Sequence, residues 1–116
     1  MDTTNNEKVQ DVSVAEARQL QKNGVVLIDV REDDEWAAGH APDATHIALA
    51  EVTSHLDELR QGEFMTVCRS GGRSSKAAAI MREAGVNVRN VSGGMNAWNS
   101  EGLPVVNADG NDGTVV

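Results

Sequence analysis

The run Val25-Val26-Leu27-Ile28-Asp29-Val30 restricts the possible folds of this chain more than any other stretch. It is almost wholly β-branched or aliphatic, it lacks polar alternation, and the turn pair Asn23-Gly24 stands directly before it. A strand with one wet face alternates apolar and polar side chains. A continuous apolar run suits a strand covered on both faces, and such strands belong to parallel sheets. Phe64-Met65-Thr66-Val67 repeats the pattern, and Val86 to Val91 supplies a further strand. Val9 to Val12 reads as a short edge strand or lead-in segment, and His46 to Leu49 as another short strand.

Helical patterns separate these runs. Ser13 followed by Glu16 is a capping box, Val14, Ala17 and Leu20 form the inward stripe, and Asn23-Gly24 ends the helix. Arg31 to Pro42 is a polar loop with one helical turn around Asp33 to Ala38, and Ser54 to Arg60 reads as a helix with Leu56 and Leu59 inward. The clearest helix spans Ser74 to Ala84, where Ala77, Ile80, Met81 and Ala84 follow i, i+3, i+4, i+7 spacing before Gly85 stops it. Gly93-Gly94 is a turn and Met95 to Ser100 a short last helix. Strands alternating with helices require βαβ crossovers, and so an α/β fold: a central, mostly parallel sheet with helices on both faces, three layers in all.

A chain of 116 residues fills one domain with a single core. Residues 1–106 are expected to form it, with the Gly/Asp/Asn-rich segment 107–116 as a flexible, frayed tail. Aromatic residues make up only 3%, so the core must come mainly from Val, Leu, Ile, Ala and Met.

The net charge of −8 is unevenly placed. Between Cys68 and Arg82 lie Arg69, Arg73, Lys76 and Arg82 with no acidic residue, while the rest of the chain holds six basic against 18 acidic residues. An acidic body argues against nucleic-acid or anionic-membrane partners. One small basic island suits a small anion instead. The only cysteine, Cys68, cannot form an internal disulfide, the first residues lack the features of a signal peptide, and no apolar run approaches ~20 residues. A cytoplasmic protein is expected. His40, His46 and His55 show no metal-ligand spacing with the cysteine, so no metal is expected.

The segment Cys68-Arg69-Ser70-Gly71-Gly72-Arg73-Ser74 joins a buried strand to a helix N-terminus. Its two glycines allow a tight bend that aims successive amides inward, a nest for an anion. The helix dipole and the two arginines act in the same sense, so Cys68 is expected to favour the thiolate and act as a nucleophile. Asp29 ends an apolar strand, where an unpaired charge is costly; pairing with Arg73 or Arg31 would fix the loop. Arg31 and Glu32 are expected at the pocket mouth. Trp36 and Trp98 are expected as core anchors, and His40 as a structural hydrogen-bonding residue.

Three stretches together resemble the single-domain members of the rhodanese family. They are Asp29-Val30-Arg31-Glu32 with Glu35-Trp36 and Gly39-His40-Ala41-Pro42; the loop Cys68 to Ser74; and Val91-Ser92-Gly93-Gly94-Met95-Asn96-Ala97-Trp98 followed by Gly102-Leu103-Pro104-Val105. The resemblance implies a thiosulfate sulfurtransferase-type enzyme working without metal or organic cofactor. Cys68 would take sulfane sulfur from thiosulfate or another persulfide donor and pass it, as a persulfide, to cyanide or a thiol. Arg69 and Arg73 would orient the anionic donor within the loop formed by Arg69, Ser70, Gly71, Gly72, Arg73 and Ser74. A sulfur-carrier module serving a protein acceptor is the alternative. A cysteine phosphatase or arsenate reductase ranks lower, because four residues separate Cys68 from Arg73 where the phosphatase signature has five. The chain departs from the family at Ala48, where a proline usually follows the His/Asn-Ile pair.

Overall fold

The computed structural model describes residues 10–116. Five strands, β1 (Gln10–Val12), β2 (Val26–Asp29), β3 (Thr45–His46), β4 (Glu63–Val67) and β5 (Asn87–Val91), form one sheet in the order β1-β5-β4-β2-β3. Every pairing is parallel. The helices are α1 (Val14–Lys22), α2 (Asp33–Ala38), α3 (Leu56–Leu59), α4 (Gly72–Glu83) and α5 (Gly94–Ser100), with a 3₁₀ segment at Leu49–His55.

The sheet divides the core in two, as the apolar runs require. Leu27, Met65, Val67 and Val91 face α1 and α5, where Val14, Ala17, Met95 and Trp98 complete one layer. Ile28, Phe64 and Val88 face the other way, against Ala77, Ala78 and Met81 of α4 and Val52 and Leu59 of the 3₁₀–α3 segment. Successive side chains of a strand alternate faces. Cys68, just beyond β4, therefore falls on the α4 side with Phe64.

Local signals explain most element ends. The Ser13 hydroxyl accepts the Glu16 amide at 3.1 Å while Glu16 Oε1 accepts the Ser13 amide at 3.0 Å, so the capping box is complete. Val9 lies outside the described residues; Gln10–Val12 is a strand at the sheet edge. Two expectations shift in detail. His46–Leu49 is not one strand, because only Thr45 and His46 pair with β2. Ala48 reaches φ −57°, ψ 148° without the ring of a proline, and the chain then enters the 3₁₀ segment. The predicted helix Ser54–Arg60 is a 3₁₀ turn that passes into the short α3.

The C-terminal segment is a correction. Residues 107–116, expected as a frayed tail, are bonded back onto the body: Ala108 donates to Ala37 O at 3.0 Å, and Thr114 to Ala38 O at 2.9 Å. Val106 bridges both His40 and Asp112 in antiparallel fashion. These bonds occupy carbonyls at the end of α2 that would otherwise lack partners. The close approach depends on Gly39 and Gly113: a Cβ on Gly113 would lie 2.8 Å from Gly39 Cα and 2.7 Å from Val106 C. Composition marked the segment as polar and flexible, but composition does not report such backbone contacts.

Candidate functional site

Parallel sheets expose their functional groups beyond the carboxyl ends of the strands. β4 ends at Val67, and the chain then turns through residues 68–71 into α4. Gly71, the N-cap, has φ +119°, a left-handed conformation that side chains resist. That bend turns the loop inward on the sulfur. The Gly71 amide donates to Cys68 Sγ at 3.1 Å, and the Ser74 hydroxyl donates to it at 3.3 Å. The same hydroxyl also lies 3.2 Å from Gly71 O. A hydroxyl has one hydrogen, so it serves the sulfur when the sulfur is the better acceptor, as a thiolate is.

Cys68 is 1% exposed, and burial alone pushes its thiol up. The Ser74 hydroxyl and the amides of Ser74, Gly71 and Ser70 oppose this, and the net result is a thiol held below its ordinary value. The sulfur is covered, yet the donors around it are aimed at it. Arg69, Ser70 and Gly72 are exposed, so the outer side of the covering loop faces solvent.

A second element, not identified from sequence as part of the site, sets the orientation of this loop. The first turn of α5 abuts the loop: Met95 N–H donates to Cys68 O at 2.8 Å, and Asn96 N–H donates to Arg69 O at 2.9 Å. With those carbonyls drawn toward α5, the amides that follow are free to face Sγ. Gly93 and Gly94 have φ of +81° and +60°, and a Cβ on Gly94 would collide with the carbonyls of Cys68 and Arg69. The Gly-Gly pair reads as a turn in the sequence. Its further role, a close backbone approach to the loop, has a signal only in the doubled glycine itself.

Arg73 does not meet Asp29. Its two terminal nitrogens bind both oxygens of Glu35 on α2, at 2.7 and 2.9 Å. Arg73 holds the Glu35 carboxyl down to about 2, and Glu35 in turn pushes Arg73 still higher. Glu35 stands in the sequence only within the resembling stretch Glu35-Trp36, not among the candidate site residues.

Asp29 pairs with Arg31, at 2.6 Å from Nη2 and 2.9 Å from Nε, and also accepts the Arg31 amide. Arg31 Nη2 further donates to Gly39 O at 2.7 Å. Both side chains are wholly buried, so the expected place of Arg31 at a pocket mouth is corrected: it lies beneath the surface. Chain direction explains this, because side chains at the end of β2 point into the layer that the Gly39 turn covers. Glu32 remains exposed at the start of α2.

Trp98 is a core anchor, fully buried, with its indole N–H bonded to Pro104 O. Trp36 is only half-buried. It stacks on His40 at 3.5 Å and on His46 at 4.9 Å between ring centroids. His40 Nδ1 donates to Trp36 O at 2.7 Å, the structural bond expected of it. Among the described residues, no three His, Cys, Asp or Glu side chains group as metal ligands.

Comparison with known proteins agrees with this arrangement. Residues 13–101 match the Rhodanese-like domain family. YtwF of Bacillus subtilis is 42% identical over 79 residues, which cover 67% of this chain and 77% of that protein. The thiosulfate sulfurtransferase GlpE of Pseudomonas entomophila is 33% identical over 105 residues, covering 86% of this chain and 93% of GlpE. The crystal structure of a rhodanese-related protein from Thermoplasma volcanium superposes with a TM-score of 0.78 at 28% identity, over 84% of this chain and 97% of that one. With its parallel sheet, its cysteine loop and this match across most of its length, the chain belongs to the rhodanese-like domain family, among whose members are sulfurtransferases.

Proposed function

We propose that this protein is a thiosulfate sulfurtransferase-type enzyme in which Cys68 carries the transferred sulfur. The Cys68 thiolate attacks the outer sulfur of thiosulfate. The sulfur–sulfur bond of the donor breaks, its electron pair departs with sulfite, and a Cys68 persulfide anion remains. Another persulfide donor reacts in the same way, with a thiolate leaving. In the second half-reaction cyanide or a thiolate attacks the outer sulfur of the persulfide, and Cys68 leaves as thiolate. No net redox change occurs, and no metal or organic cofactor takes part.

One observation carries this reading: the Gly71 amide and the Ser74 hydroxyl donate to a single sulfur atom at 3.1 and 3.3 Å and, with the nearby amides of Ser74 and Ser70, favour its anion. The loop from Arg69 to Ser74 is the binding site for the donor, and it favours the persulfide charge one atom further out in the same manner. Asp29 and Arg31 support the site from beneath. The acceptor is a small thiol or a thiol on another protein. A sole cysteine forms no internal disulfide and requires no oxidising compartment, and we place the protein in the cytoplasm. Among the described residues no helix is long and apolar enough to cross a membrane.

The test is intact-mass measurement after incubation with thiosulfate. The expected result is a gain of one sulfur atom, removed by cyanide and missing in Cys68→Ser. Full transfer activity in Cys68→Ser would rule the mechanism out.

A further inference from the structure

We propose that Glu35 is a specificity-determining residue: by cancelling the charge of Arg73 beside the cysteine loop, it lowers the preference of the site for dianions over monoanions. The inference deepens the sulfur-transfer reading and, for its donors, rests on it.

The loop supplies two cations, Arg69 and Arg73. Left free, both would draw a doubly charged donor more strongly than a singly charged one. Arg73 is not free. Glu35 holds it by two parallel bonds of 2.7 and 2.9 Å, a fork-to-fork geometry that fixes the guanidinium plane. The pair is partly shielded, with Glu35 17% and Arg73 36% exposed.

The position of Glu35 is built from two directions. Its Oε1 also accepts the Glu32 amide at 3.0 Å, closing the capping box of α2. At the other end of that helix, Ala37 O and Ala38 O are held by Ala108 and Thr114 of the C-terminal segment. A carboxylate anchored so firmly is a fixed part of the field around Sγ. Glu35 and the Cys68 thiolate together offset the two charges of Arg69 and Arg73. Thiosulfate, with two charges, then gains little over a thiosulfonate or persulfide with one.

Two variants separate charge from shape. Glu35→Gln keeps the size and one acceptor oxygen but removes the charge, whereas Glu35→Asp keeps the charge. The first readout does not depend on sulfur chemistry: Cys68 alkylation by iodoacetate, a monoanion, against iodoacetamide, which is neutral. One charge several ångströms away in a water-like dielectric changes the encounter of a unit anion by about threefold. Glu35→Gln is therefore expected to raise the iodoacetate-to-iodoacetamide rate ratio about threefold, with Glu35→Asp close to wild type. The second readout is kcat/KM: a gain of roughly ninefold for thiosulfate and about threefold for a monoanionic arene thiosulfonate.

The wild type supplies a check free of any variant. A balanced site gives a reagent ratio that changes by less than about twofold from low to high salt. A steep fall with salt would overturn the inference. So would a Glu35→Gln effect equal for charged and neutral reagents, because that marks Glu35 as a purely positioning residue. If the alkylation ratio moves as expected while neither the wild type nor any variant takes sulfur from any donor, the sulfur-transfer reading falls and the charge role of Glu35 stands.

Discussion

Asp29→Ala removes the acceptor of the entire Arg31 fork. In the native protein Arg31 is wholly buried, bonded to Asp29 through Nε and Nη2 at 2.9 and 2.6 Å, and to Gly39 O at 2.7 Å, while Nη1 has no partner among the described residues. After the substitution only the Gly39 carbonyl remains to a desolvated cation. Breaking a buried pair from one side costs about 3–5 kcal/mol, because the surviving charge is left uncompensated. That is a large share of the roughly 5–15 kcal/mol total of a domain this size. Urea unfolding followed by circular dichroism should show the midpoint fall at constant m, and the melting temperature should drop by roughly 10–20 °C. Replacing both partners, Asp29→Leu with Arg31→Met, should recover most of the loss, because two apolar side chains of similar bulk leave no orphaned charge. The doubly substituted protein should also still take up sulfur, as befits residues beneath the site. An Asp29→Ala cost below about 1 kcal/mol at unchanged m would refute the reasoning: it would mean that water reaches the Arg31 guanidinium.

Three further outcomes are expected. Ser74→Ala removes the one side-chain donor to Sγ among the described residues, so the midpoint of the pH profile for iodoacetamide alkylation should move up, and an unmoved midpoint would assign the effect to the amides alone. Gly94→Ala places a methyl group against the carbonyls of Cys68 and Arg69, neither of which can yield without moving the loop; sulfur uptake should fall at least about tenfold, with a loss of roughly 1–3 kcal/mol in stability. The Glu35 carboxyl lies lower folded, at about 2, than unfolded, near 4.5, so its contribution is present above about pH 4.5 and is lost as pH falls toward 2. Discounted for the partial exposure of the pair, that contribution is roughly 1–3 kcal/mol, and acid titration of stability should be shallower in Glu35→Gln across that window.

The sequence was sufficient wherever the deciding physics is local. The apolar runs at 25–30 and 64–67 lack alternation, and only a sheet covered on both faces buries them, so the parallel α/β architecture follows from pattern alone. The outline of the Cys68 loop is local too: a strand end, two glycines and a helix start set up a turn that can aim amides at one sulfur. What the sequence left open are partnerships between distant segments. Asp29 was the partner the sequence offered Arg73, and the fold chose Glu35, 38 positions away. Arg31 reads as a residue of the pocket mouth until the Gly39 turn is seen to close over it. The hold of α5 on the loop carbonyls, and the return of the C-terminal segment to α2, are backbone contacts that no side-chain type announces. Periodicity and turn chemistry are set by neighbours along the chain, whereas ion pairing and close backbone approach depend on which surfaces the folded sheet brings face to face.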